Sequence, residues 1–197
     1  MQTDDQSDGW DPPSPPLTAP QEIKVIGGLT PAPEWRYEMR RHSQEILPGL
    51  FVGPFQAAKN KEALQKDGIT HVLCIADPRE QFLLRPYFPG EFEYKIMLIR
   101  DSQDQNLVTL FPECREFITS SRSQGGKVLV HCGDGISRSP AIVTAYVMVT
   151  ENIPYEEAFD HVQSRRFCAS PNPAFHHQIE VRFLCLPNRI VVHGLVV

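Results

Sequence analysis

Two side chains in this sequence are spaced to seize and attack a tetrahedral oxyanion: Cys132 and, six positions later, Arg138. They lie in Val128-Leu129-Val130-His131-Cys132-Gly133-Asp134-Gly135-Ile136-Ser137-Arg138-Ser139. Val128 to Val130 is apolar without alternation, the pattern of a strand buried on both faces. Pro140 to Val149 is apolar nearly all round and too short to span a membrane, so it reads as a core helix. A loop between such a strand and helix can turn its backbone N–H groups around an anion, and Gly133 and Gly135 supply the backbone freedom. The phosphate-binding set is therefore Gly133, Asp134, Gly135, Ile136, Ser137 and Arg138, whose planar fork can hold two oxygens at once. The same positive surroundings favour a thiolate, which makes Cys132 a candidate nucleophile. A buried inert thiol is the ordinary fate of a cysteine, but here it would leave the arginine, the two glycines and the strand-to-helix setting without a purpose.

The elements that must position this loop follow from local pattern. Leu50 to Val52 reads as a strand after Pro48-Gly49, Ile69 to Ile75 as a second after Gly68, Tyr94 to Ile99 as a third and Lys127 to Val130 as a fourth. Ala57 to Lys66 predicts a short helix. Leu107, Leu110, Phe111, Cys114, Phe117 and Ile118 recur at helical steps, and Tyr155, Ala158, Phe159 and Val162 mark another helix. Asn172 followed by Pro173 is a helix start. Alternating strands and helices predict an α/β single domain, a central mostly parallel sheet flanked by helices, over residues 35–180.

Of eighteen prolines, seven fall before Glu34 (12, 13, 15, 16, 20, 31 and 33). Residues 1–34 therefore read as a disordered Pro-rich tail, with a polyproline ligand for an adaptor domain as the functional reading. Residues 181–197 form an atypical C-terminal extension, interrupted at Pro187 and apolar from Ile190 to Val197. Across 197 residues, 41% hydrophobic and 22% charged content is globular, and a net charge of -5 argues against a broad nucleic-acid surface. The acidic start, Met1 to Asp11, has no apolar core for a leader or anchor. Five scattered cysteines suit a reducing cytoplasm or nucleus.

The loop resembles the His-Cys-five residues-Arg signature of protein tyrosine and dual-specificity phosphatases. Rhodaneses and arsenate reductases also pair a cysteine with an arginine across a loop, but Val130-His131 and Ser137-Arg138-Ser139 favour the dual-specificity type. Leu47-Pro48-Gly49-Leu50-Phe51-Val52-Gly53, Gly68 to Leu73 and Ser170-Pro171-Asn172-Pro173-Ala174-Phe175 extend the resemblance to about residues 46–179. It implies a two-step reaction without metal or cofactor, in which Cys132 takes the phosphoryl group and an aspartate protonates the leaving oxygen. That acid is expected about thirty residues upstream: Asp101 lies 132 − 101 = 31 positions before Cys132, directly after a strand, with Asp104 as its rival. The resemblance also implies that Ser139 assists the departing sulfur and that His131 orients the loop. Phosphorylated proteins are the expected partners.

A narrower resemblance runs through Glu34-Trp35-Arg36-Tyr37-Glu38-Met39-Arg40-Arg41, Gln44 to Leu50 and Arg165-Arg166-Phe167-Cys168. It is similar to the serine/threonine/tyrosine-interacting protein family, whose animal members have glycine for the nucleophile and bind phosphoproteins without hydrolysing them. Here Cys132 stands in place. An active phosphatase is the first expectation and a phosphoprotein-binding adaptor the alternative. Asp134 is unusual in a loop that must hold a dianion, and is harmless only if it points outward. Arg165-Arg166 and His176-His177 read as helix-surface pairs, and Cys74 as a packed core thiol, with a protective disulfide to Cys132 on oxidation as the alternative.

Overall fold

The computed structural model describes residues 26–29 and 31–183. Expectations for most of the Pro-rich tail and for the apolar C-terminal end fall outside that span. Short apolar runs closed by turns give five strands: β1 (Gln44–Leu47), β2 (Leu50–Pro54), β3 (His71–Ala76), β4 (Glu93–Leu98) and β5 (Val128–Cys132). They form one sheet in the order β1-β2-β5-β3-β4, antiparallel between β1 and β2 and parallel elsewhere. The doubly buried pattern of Val128 to Val130 is accounted for: β5 is central, flanked by β2 and β3.

β1 is absent from the pattern reading because only Ile46 and Leu47 of its four residues are buried. Its strand character comes from pairing back onto β2 across Pro48-Gly49, with Gly49 at φ +76° and the Arg122 guanidinium donating to the Pro48 carbonyl at 2.9 Å. The helix expected over Ala57 to Lys66 is two helices, α1 (Phe55–Ala58) and α2 (Lys61–Asp67). Asn60 separates them because its extended backbone and side chain cap the second, accepting from Ala63 N at 3.0 Å.

Four more helices cover the opposite face: α3 (Phe111–Ser123), α4 (Arg138–Glu151), α5 (Tyr155–Arg165) and α6 (Pro173–Phe183). The sheet thus has helices on both faces, unevenly. The larger core packs α3 to α6 on residues such as Val52, Ile75, Val130, Ile142, Val147 and Phe175. The smaller packs Leu64 of α2 on Phe51, Val72 and Leu129. α4 is buried from Arg138 to Met148, so its low amphipathicity is that of a central helix. This arrangement fixes both ends of the Cys132 to Arg138 loop in the interior, one on β5 and the other on α4.

Candidate active site

Cys132 is the last residue of β5, opposite Pro54 of β2, and is 2% exposed. Each carbonyl of the loop that follows is taken by a donor. Cys132 O faces His131 Nδ1 at 3.3 Å, Gly133 O accepts from Phe55 N at 3.0 Å, and Ile136 O accepts from Ser170 N at 2.7 Å. Asp134 O and Gly135 O accept from the Arg166 guanidinium at 3.1 and 2.7 Å. No peptide bond here is cis. In a trans peptide the N–H points away from its C=O, so five successive N–H groups, from Gly133 to Ser137, are turned to the other side of the chain. That is the arrangement of a backbone anion cradle, and α4 adds its N-terminal dipole.

Gly135 shows how tightly the loop is held. Its φ is +66°, and a Cβ there would lie 2.6 Å from the Gly53 carbonyl carbon and oxygen and 2.7 Å from Arg166 Nη2. Asp134 and Ile136 are exposed and Ser137 is buried. The solvent-facing Asp134 side chain removes the conflict that a carboxylate inside the loop would create.

Arg138 opens α4 and is 7% exposed. Its Nη1 and Nη2 donate to Glu80 at 2.6 and 3.2 Å, while Nε is buried without a partner. Burial opposes the Arg138 charge, but the Glu80 carboxylate outweighs it and holds the guanidinium above its ordinary range. Burial likewise opposes the Glu80 charge, and the hydrogen bond from Arg138 outweighs it, so this carboxyl sits below its ordinary range. Glu80 is itself placed by a one-turn 3-10 helix, Pro78–Glu80, in which Asp77 Oδ1 accepts from Arg79 N at 2.9 Å and Glu80 Oε2 from Asp77 N at 3.2 Å. With Glu80 on the Nη1 and Nη2 side, the unsatisfied Nε–H and the second N–H of Nη2 beside it remain for ligand oxygens.

Ser139 is wholly buried and its hydroxyl donates to Cys132 Sγ at 3.3 Å. His131 is 1% exposed, and burial pushes its pKa down to about 4, so the neutral imidazole can use Nδ1–H on the Cys132 carbonyl. Cys74, opposite His131 in the β3–β5 register, has its thiol pushed up to about 12 by burial and is a protonated core group.

The two candidate acids separate. Asp101 Oδ1 accepts from Ser137 Oγ at 2.8 Å and from Asn172 Nδ2 at 2.7 Å, which ties it to the loop and to the start of α6. Asp104 pairs with Arg100 at 3.0 Å and is 70% exposed. The Ser102 hydroxyl and the Arg100 guanidinium hold the Asp104 carboxyl below its ordinary range. Of the two, only Asp101 is shown in contact with the loop. Asn172 also caps α6 through Oδ1, accepting from Phe175 N at 3.0 Å.

Three residues of this site were not picked out by pattern. Glu80 carried a signal in Asp77-Pro78-Arg79-Glu80, a capping-box spacing, but nothing local pointed it at Arg138. Asn172 is the cap that its sequence position predicts, but its bond to Asp101 has no local signal. Arg166 corrects the surface reading of Arg165-Arg166: it is fully buried. Arg165 is half-buried and donates to the Glu45 carbonyl at 2.8 Å. His176 is half-buried against Tyr155 and Phe159, whereas His177 is exposed.

The family model "Dual specificity phosphatase, catalytic domain" matches residues 50–182. The chain belongs to the dual-specificity phosphatase family. Human serine/threonine/tyrosine-interacting protein is 48% identical over 151 residues, 76% of this chain and 68% of that protein. Arabidopsis thaliana dual specificity protein phosphatase 1 is 42% identical over 135 residues, 68% of this chain and 66% of that protein. Among solved structures, the human tyrosine phosphatase-like serine/threonine/tyrosine-interacting protein superposes with a TM-score of 0.71 at 46% identity, covering 73% of this chain and 96% of that one. The likeness thus reaches both a phosphatase and a phosphatase-like interacting protein, and Cys132 bears on which of them this chain follows.

Proposed function

We propose that this protein is an active cysteine-dependent phosphatase, acting on phosphotyrosyl and phosphoseryl or phosphothreonyl proteins through a cysteinyl-phosphate. The observation that carries the reading is Cys132 itself, seated at the mouth of the five-carbonyl loop with Ser139 Oγ on its sulfur. A loop kept only for binding would need the cradle and Arg138 but neither the thiol nor the serine behind it.

In the first step Cys132 Sγ attacks phosphorus and the bond to the seryl, threonyl or tyrosyl oxygen breaks, with Asp101 giving that oxygen its proton. Both hydrogen bonds to Asp101 fall on Oδ1, which leaves Oδ2 to carry the proton. In the second step water attacks phosphorus, its proton passes to Asp101, and the P–S bond breaks. The Ser139 hydroxyl stabilises the departing sulfur while Arg138 and the loop N–H groups hold the equatorial oxygens through both steps.

The similarity to the interacting protein favours a second reading, in which the same loop binds phosphoproteins without turnover. A steady-state assay separates the two. Wild-type protein should release phosphate from an aryl phosphate and from a phosphopeptide; Cys132→Ser should release none yet still bind the phosphopeptide. Equal phosphate release by Cys132→Ser would remove the thiol from the mechanism.

A further inference from the structure

Arg166 is the largest wholly buried side chain among the described residues, and no carboxylate among those residues is paired with it. Burial pushes its pKa down from the ordinary value, but a guanidinium stays charged and must spend its donors on neutral acceptors. It spends them in two directions. Toward the loop, Nε donates to Gly135 O at 2.7 Å and Nη2 to Asp134 O at 3.1 Å. Toward the segment that precedes and begins β1, Nη1 donates to His42 O at 3.0 Å and to Gln44 Oε1, and Nη2 to Arg40 O at 3.1 Å.

We infer that Arg166 is the positioning residue of the anion cradle, and that the arm from Arg40 to Gln44 completes the site through it. The inference rests on reading the loop as a phosphate cradle. The reason is peptide geometry. Holding the Asp134 and Gly135 carbonyls on the outside turns the Gly135 and Ile136 N–H groups inward, at the apex of the loop where neither β5 nor α4 constrains the backbone. The Gly133 and Ile136 carbonyls on either side are held by backbone donors, Phe55 N and Ser170 N; at the apex a side chain does it. One planar fork reaches two successive carbonyls, and its remaining N–H groups anchor on the arm. Arg40 and His42 lie upstream of the residues matched by the family model, which begins at 50. The arm is therefore a part of the cradle that the catalytic-domain match does not contain.

The test uses the full-length protein and tungstate, a tetrahedral oxyanion, with affinity measured by calorimetry on folded protein. Arg166→Met should weaken tungstate binding about tenfold or more, the loss of two charge-assisted bonds at the cradle. Arg166→Lys keeps the charge but not the fork and should resemble Arg166→Met. Gln44→Met removes one anchor and should weaken binding by about two- to fivefold, which decides the matter if Arg166→Met does not fold. Each loss should appear in tungstate affinity of the folded protein, which a role confined to stability would not move.

Unchanged affinity in folded Arg166→Met, full affinity in Arg166→Lys, or unchanged affinity in Gln44→Met would each overturn the inference. A wild type that binds tungstate but hydrolyses no phosphoester sinks the catalytic reading alone and leaves the clamp standing on its affinity ratios. A wild type with no affinity for tungstate sinks both.

Discussion

Asp101 and Asp104 illustrate how surroundings assign roles to like residues. Both carboxylates lie on the connection after β4, but Asp104 is drawn outward by Arg100 while Asp101 is tied to Ser137 and Asn172. A seryl or threonyl alkoxide leaves poorly without a proton, whereas an acidic phenol needs little help. Asp101→Asn should therefore slow hydrolysis of phosphoseryl or phosphothreonyl peptides by about 10²- to 10⁴-fold and affect an activated aryl phosphate much less. Asp104→Asn should stay near wild type; steady-state rates on the two substrate types would reveal the reverse assignment. Asn172 serves two elements at once, so Asn172→Ala should do two separable things. Loss of the α6 cap should cost about 1 kcal/mol, read as a lower urea midpoint. Loss of the Asp101 contact should lower rates on phosphoseryl peptides more than on aryl phosphate. A variant that is destabilised with an unaltered substrate ratio would restrict Asn172 to capping.

At the scale of elements, the loop works because the pieces around it hold its carbonyls outside. Gly135 sits in the left-handed region with the Gly53 backbone against its missing Cβ. Gly135→Ala should lower stability by about 2 kcal/mol or more and abolish phosphopeptide binding, by urea unfolding and peptide titration. Wild-type binding in that variant would mean that the loop tolerates another path. The elements were legible in sequence to different depths. β5, its loop and α4 are continuous in the chain, so Val128 to Val149 carried strand, cradle and helix in one local pattern. Asp101 was legible once the family resemblance supplied a distance. β1 was not, since its pairing partner rather than its own pattern makes Gln44–Leu47 a strand. Arg166 departs from its surface reading because a charged residue at a helix end is usually solvated, whereas this one is buried. Only the fold brings it to carbonyls 31 and 32 positions away in sequence. The Glu80 to Arg138 pair, 58 positions apart, escaped for the same reason.

For the molecule as a whole, the buried histidine sets an acid limit. In the unfolded chain His131 binds a proton near its ordinary pKa of 6.5, whereas in the folded protein burial delays protonation to about 4. Between those values the unfolded state carries more protons, so stability is complete above about 6.5 and is lost as pH falls toward 4. The shift amounts to about 3 kcal/mol at most. His161 and His176 are also pushed down by burial and add in the same direction. Urea unfolding across this window should show the decline, and His131→Asn should flatten it; a variant that declines as steeply as wild type would place the proton uptake elsewhere.

Whether Cys132 turns over phosphate or only sits in a phosphate-binding loop is decided at its sulfur. The most direct test is to mix the full-length protein with a phosphopeptide, quench in acid within the first turnover and examine the peptide containing Cys132 by mass spectrometry. One phosphoryl group is expected on the Cys132 sulfur, more abundant in a variant whose second step is slowed, such as Ser139→Ala, and absent from Cys132→Ser. A phosphopeptide bound to saturation with neither an adduct at Cys132 nor release of phosphate would contradict turnover at Cys132.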